Sequence, residues 1–284
     1  VPFSNGTTVV RWREGDLNCA EFRLYKPIQF PVVLAGRYQI FSEYRKGVTV
    51  RVATYVLADH QAMRRLSSNI FALVDFYQLY LGDFPFKELD LIEINSYGFG
   101  IAPAGIIFIT KEAFEPLADA KSKFFSKGSN ARLAHEVAHT WWGHVGKMSG
   151  PESQWLSEST AEYFSAFAMS HLERPSAMDQ ARREWRRISR RVHDHGSLYL
   201  ANQLSGYNAG RDRFGLLYGK GPLVLDALRK KLGDREFFTV CRSMLTSSPF
   251  HHLYTRQFIG LTNLVKQRDL GPWFGKYLLG TDWP

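Results

Sequence analysis

Hydrophobic and polar positions alternate along the first part of the chain and later repeat at a helical spacing. Val48, Val50 and Val52 alternate with polar or small residues, which predicts a strand that runs towards residue 57. Shorter apolar runs bounded by Gly and Pro predict further strands over 9–12, 22–25, 32–34, 89–94 and 106–110. Residues 1–58 are therefore interpreted as β structure.

The helical spacing begins at residue 59, where Asp59 is a candidate N-cap. Apolar residues then recur every three or four positions up to Leu81, and Gly82 provides a stop signal. Beyond residue 128 nearly every signal is helical, and helices are predicted over 129–142, 154–172, 178–192, 214–232, 235–245 and 256–266. Strands, a helix, strands and then helices predict an α+β fold, with one domain over 1–58 and a second over 59–284.

Composition narrows the class of protein. With 284 residues, of which 45% are hydrophobic, the chain is long enough for a sizeable core. Its plentiful aromatic and branched residues and its mixed charge exclude disorder. No apolar run reaches the roughly 18 residues of a membrane helix, so no direct membrane insertion is expected. The net charge of +9 favours acidic partners, but no nucleic-acid-binding signature accompanies it and no nucleic-acid partner is expected. Because the chain begins at Val1, we expect a fragment or a processed product.

One short segment carries recognisable chemistry. His135 and His139 are four positions apart and project from one face of a helix, where two imidazoles can bind one Zn²⁺. Glu136, next to the first histidine, can take a proton from a water that the metal activates. The alternative is a helix with two ordinary histidines.

A catalytic zinc site needs a third protein ligand, and Glu158 is the best candidate. Eighteen residues separate it from His139, enough for the end of one helix, a loop and the start of another. A carboxylate with two neutral imidazoles leaves a fourth position open for water. Glu162 lies one turn further on the same face and either accepts a hydrogen bond from a ligating histidine or is an exposed helix glutamate.

These motifs together resemble the gluzincin metallopeptidases related to aminopeptidase N, in which HExxH is followed by Trp-Leu-Asn-Glu-Gly. The chain has Trp155-Leu156-Ser157-Glu158, and its segments 218–221 (Tyr-Gly-Lys-Gly), 31–38 and 273–284 are also similar to that family. The resemblance implies a thermolysin-like domain with a small mixed sheet lobe and a mainly helical lobe, preceded by the last strands of a β domain. It also implies one zinc ion, a peptide or protein substrate, missing flanking domains, and Tyr218 as the donor to the oxyanion.

One departure from the family leaves the reaction open. The family's substrate strand has Gly-x-Met-Glu-Asn, whose Glu binds the substrate's amino group, but residues 98–108 contain neither Glu nor Asn. The residues expected to bind substrate there are Ala102, Pro103, Ala104 and Gly105, acting through their backbone. The leading interpretation is an aminopeptidase-like zinc hydrolase. The alternatives are a zinc endopeptidase that needs no free amino terminus and a non-catalytic binding module derived from a peptidase.

Overall fold

The structure is a computed structural model that describes residues 1–55, 60–96, 100–110, 129–190, 192 and 196–284. The chain forms two compact units, the first made of Val1–Phe76 and Phe84–Thr140 and the second of Tyr77–Asp83 and Trp141–Pro284. The predicted N-cap Asp59 lies outside the described residues. Most of the strands belong to the first unit and most of the helices to the second, which confirms the α+β prediction.

The first unit is built around a five-stranded sheet. Its elements are β1 (Pro2–Ser4), β2 (Thr7–Glu14), β3 (Leu17–Arg23), β4 (Val33–Ala35), β5 (Gln39–Arg45), β6 (Val48–Thr54), most of α1 (His60–Leu81), β7 (Glu88–Ile94), β8 (Gly100–Ile101), β9 (Ile106–Thr110) and α2 (Ser129–Ala138). The strand order in the sheet is β5-β6-β7-β9-β8, with β6–β7 and β7–β9 parallel and the outer pairs antiparallel. The sheet is therefore mixed, and β8 is an outer strand among those that the structure describes.

Strands from both sides of the predicted domain boundary at residue 58 share this sheet, since β6 pairs with β7. Arg51 on β6 strengthens that pairing, because its guanidinium donates to Asp90 Oδ1 at 2.6 Å and to Glu88 Oε2 at 2.5 Å. Arg51 and Asp90 are both buried, so removing either residue would leave the other as an uncompensated buried charge. The division into domains at residue 58 remains a prediction.

The second unit is mainly helical. It contains β10 (Lys147–Met148), α3 (Gln154–Leu172), α4 (Ala177–Ser189), α5 (Ala209–Gly215), α6 (Gly221–Leu232), α7 (Asp234–Thr246), β11 (His252–Leu253), α8 (Thr255–Lys266) and α9 (Gly271–Phe274). Helix α3 has the bounds predicted for it and is buried along most of its length, with the side chains of Trp155, Tyr163 and Phe164 fully enclosed. Among the helices that the structure describes, none is both long and apolar enough to cross a membrane.

The helix predicted over 214–232 is in fact three segments. Helix α5 begins earlier, at Ala209, and a π-helical turn over Leu216–Lys220 joins it to α6. Close packing explains the glycines around this turn: a Cβ on Gly221 would collide with Ser159 Oγ on α3, and one on Gly219 would lie 3.0 Å from the backbone nitrogen of Ser189. The turn is therefore held tightly against its neighbours.

Candidate active site

The two histidines of the predicted zinc motif face each other at the end of α2. This helix ends at Ala138 rather than at residue 142, but His139 N still donates to His135 O at 3.3 Å, so the one-turn spacing is preserved. The two Nε2 atoms are 3.1 Å apart. Two nitrogen ligands of a tetrahedral zinc ion, each about 2.0–2.1 Å from the metal, lie about 3.3 Å apart, so the observed spacing suits such an ion.

Glu158 on α3 completes the ligand group. One ligand atom from each of His135, His139 and Glu158 lies within 4.8 Å of the other two, and of the described residues only these three form such a group. Two imidazole nitrogens and one carboxylate oxygen are the donor set of a catalytic zinc site that keeps an open coordination position. The three residues therefore fit a single zinc ion.

Glu136, the predicted general base, is 5% exposed and packs against the edge strand β8. Gly100 makes this packing possible, because a Cβ at that position would collide with the Glu136 carboxylate and would lie 2.8 Å from its Cδ. The backbone of Gly100 is not in the left-handed region, so the glycine is needed for space and not for its φ angle. Nothing in the local sequence pattern indicated this contact.

Tyr218 lies in the π-helical turn and its hydroxyl donates to Glu158 Oε2 at 2.5 Å. The Phe214 ring stacks on the Tyr218 ring, with centroids 4.8 Å apart and planes 22° from parallel. π-Helical turns often occur at functional sites, because the wider turn shifts the direction in which side chains project. Phe214, which was not identified from the sequence, supports one face of the tyrosine.

Glu162, one turn after Glu158, is half-buried, and its Oε1 accepts a hydrogen bond from Trp185 Nε1 at 2.8 Å. Trp185 belongs to α4 and is 1% exposed, so this contact ties α4 to α3 close to the metal ligand. The interpretation of Glu162 as an exposed helix glutamate does not match this position. Its hydrogen bond to a ligating histidine remains a prediction.

The predicted substrate-binding residues follow the edge strand β8 and form the turn into β9. Ile106 N donates to Pro103 O at 2.9 Å, and Gly105 has a φ of +75°, which suits the third position of a type II turn. Ala104 is buried and its carbonyl accepts a hydrogen bond from Asn5 Nδ2 at 2.8 Å. Ala102 is half-buried, next to the exposed Ile101 at the sheet edge.

Comparison with known proteins points to peptidases. The model for the peptidase family M1 domain matches residues 66–272. Glutamyl aminopeptidase from Rattus norvegicus is 22% identical over 224 residues, and that from Homo sapiens is 26% identical over 214 residues, which are 73% and 72% of this chain. In both cases the match covers 22% of the relative, so the chain spans about a fifth of the length of these curated relatives.

Solved structures resemble this fold over its full length. A crystal structure of a single-site mutant of an M1 zinc metallopeptidase from Deinococcus radiodurans has a TM-score of 0.73 and 16% identity, covering all of this chain and 62% of its own. A mutant of that enzyme bound to a Tyr-Ser-Ala substrate has a TM-score of 0.69 and 17% identity, with the same coverage. At this identity the likeness establishes the fold, including its small sheet and helical bundle.

Proposed function

The chain belongs to peptidase family M1, and on that premise we propose that it hydrolyses peptide bonds with one zinc ion held by His135, His139 and Glu158. The observation that carries the proposal is the convergence of these three ligand atoms within 4.8 Å, with Glu136 adjacent to the first ligand in the sequence. A zinc ion in such a group supplies Lewis-acid chemistry, activating water and polarising a carbonyl.

Glu136 acts as the general base. Its carboxylate accepts the proton of the attacking water and then delivers it to the amine that leaves. A base that moves a proton twice must keep one orientation, and the contact between Glu136 and Gly100 restricts that carboxylate on one side. Burial limits its exchange with bulk water.

Tyr218 stabilises the negative charge that develops on the carbonyl oxygen. Its hydroxyl donates to Glu158 Oε2 at 2.5 Å, and the stacked Phe214 ring restricts rotation of the phenol. To act as that donor, the hydroxyl exchanges its hydrogen bond to Glu158 for one to the substrate oxygen on which the charge develops.

We propose peptides with a free amino terminus as substrates. The curated relatives are named as aminopeptidases, which supports exopeptidase action, and β8 presents a sheet edge that can bind an extended peptide through its backbone. The alternative is an endopeptidase, favoured by the absence of Glu and Asn over residues 98–108.

The test is a mass-spectrometric digest of one peptide set, half with free and half with acetylated amino termini, run beside Glu136→Gln. Stepwise shortening of the free peptides alone supports the aminopeptidase. If acetylated peptides are cut equally well at internal bonds, the protein is an endopeptidase and the aminopeptidase proposal is wrong. The absence of any cleavage contradicts both.

The Tyr218→Phe substitution removes one hydrogen-bond donor and keeps the ring that stacks on Phe214. Turnover should fall about 10²–10³-fold, the usual effect of losing one donor to an oxyanion, while the zinc content is unchanged. Steady-state kinetics and metal analysis on the same sample check this. Tyr207→Phe, at a fully exposed tyrosine, is the matched control and should leave turnover unaltered.

The Gly100→Ala substitution tests whether the space beside Glu136 matters. The added methyl group displaces the carboxylate, and a misplacement of about 1 Å can cost about 10²-fold in turnover. Gly260→Ala is the control, because a Cβ at Gly260 meets nothing within 4 Å. Full turnover in Gly100→Ala would show that the contact does not position the base.

A further inference from the structure

A cavity of about 410 Å³ opens in the helical unit beside the proposed reacting groups. Six of the residues around it are Gln154, Glu158, Asn202, Arg213, Phe214 and Tyr218. Since Glu158 is a proposed zinc ligand and Tyr218 the proposed oxyanion donor, a substrate group in this cavity would lie next to the bond that is cut. The volume falls within the range of about 300–1,000 Å³ that is usual for small-molecule sites.

Of the described residues that line this cavity, Arg213 is the cationic one, and its side chain is half-buried. Of its five N–H groups, one, on Nη2, donates to Leu204 O at 3.3 Å. The Nε atom is buried and has no hydrogen-bond partner among the described residues. Among the described residues, the guanidinium thus has one hydrogen-bond acceptor, the Leu204 carbonyl.

The nearby carboxylates do not supply that acceptor. Glu158 lines the same cavity but forms no ion pair with Arg213 in the described part of the chain, and its Oε2 accepts from Tyr218. Asp212 precedes Arg213 on α5 and so projects in a different direction, with its Oδ1 atom 3.5 Å from Arg211 Nε. The charge of Arg213 is thus available to a group that enters the cavity.

We propose that Arg213 is a specificity residue that binds a carboxylate of the substrate peptide in this cavity. Guanidinium groups bind carboxylates through two parallel hydrogen bonds, which gives both affinity and orientation. Phe214 and Leu217 supply apolar surface for the methylene groups that carry such a carboxylate, and Asn202 supplies an amide. The proposal rests on the proposed function, and the carboxylate is either an acidic side chain or the carboxyl terminus of a short peptide.

Equilibrium binding to the zinc-loaded Glu136→Gln protein tests the proposal without turnover. Calorimetry compares three tripeptides: one with a glutamate side chain and an amidated terminus, one neutral with a free carboxyl terminus, and one neutral and amidated. Adding Arg213→Gln should weaken the binding of one of the two carboxylate-bearing peptides about tenfold or more, as expected for a hydrogen-bonded charge pair. The affinity for the neutral amidated peptide should not change. Arg183→Gln, an exposed site on α4 with the same change in charge, is the control.

The pattern of losses identifies the source of the carboxylate. If only the glutamate peptide loses affinity, the cavity binds an acidic side chain. If only the peptide with a free carboxyl terminus loses affinity, the cavity binds the carboxyl end. Arg213→Lys should recover part of the affinity, since it keeps the charge but not the paired donors. Equal binding of all three peptides with and without Arg213 overturns the proposal. Failure of the proposed function would appear separately, as absence of hydrolysis by the unsubstituted protein.

Discussion

The Glu136→Gln substitution is expected to reduce peptide hydrolysis by at least about 10²–10⁴-fold and to leave one zinc ion bound per chain. Glutamine has nearly the same shape as glutamate, so it occupies the same buried place against Gly100, but it cannot accept the proton of the attacking water. Glu136 is not one of the three residues of the ligand group, so the metal should be retained. Turnover and zinc content, measured on the same preparation, check both statements.

The matched control is Glu184→Gln, which makes the same chemical change at an exposed position on α4 and should leave turnover and zinc unchanged. Two results would contradict the assignment. Retained hydrolysis in Glu136→Gln would mean that another group moves the proton, and loss of zinc would mean that Glu136 itself holds the metal.

The Glu158→Ala substitution should abolish stable zinc binding and, with it, hydrolysis. Loss of an outer hydrogen-bond partner of a ligand already costs about 10–100-fold in metal affinity, and loss of the anionic ligand itself should cost more. Tyr218 also loses the carboxylate to which its hydroxyl donates. Zinc retained after dialysis, measured by elemental analysis, gives a readout that does not depend on activity.

Glu162→Ala is the companion variant, one turn along the same helix. It leaves the three proposed ligands intact but removes the carboxylate that we predict to accept a hydrogen bond from a ligating histidine. Zinc should therefore be held more weakly than in the unsubstituted protein but far more tightly than in Glu158→Ala. A Glu158→Ala protein that keeps a full equivalent of zinc would remove Glu158 from the ligand set.

Local signals in the sequence predicted much of the fold. Strict alternation of valines predicted β6, and the apolar spacing between Gln154 and Leu172 predicted α3 with its observed bounds. The two histidines and Glu136 were also predictable, because a spacing of four on a helix is a local property. Glu158 was predicted from the chemistry of a carboxylate ligand and its spacing of eighteen residues from His139, and the family resemblance supported it, but its place beside the histidines depends on tertiary structure.

Other features depend on contacts that no local pattern contains. The parallel pairing of β6 with β7 joins residues on either side of the predicted boundary, and the contact between Gly100 and Glu136 joins residues 36 positions apart. Arg213 was missed because the predicted helix began at residue 214, whereas α5 begins at Ala209. The π-helical turn after it also changes which side chains share a face, which a fixed period of 3.6 residues cannot anticipate.

The most direct test of the central claim is a zinc titration of metal-free protein, with bound zinc and peptide hydrolysis measured in the same samples. Hydrolysis should rise in proportion to bound zinc and level off at one equivalent per chain, and Glu158→Ala should show neither binding nor activity. Hydrolysis by the metal-free protein, or one equivalent of zinc bound through Glu158 without any hydrolysis, would contradict the account.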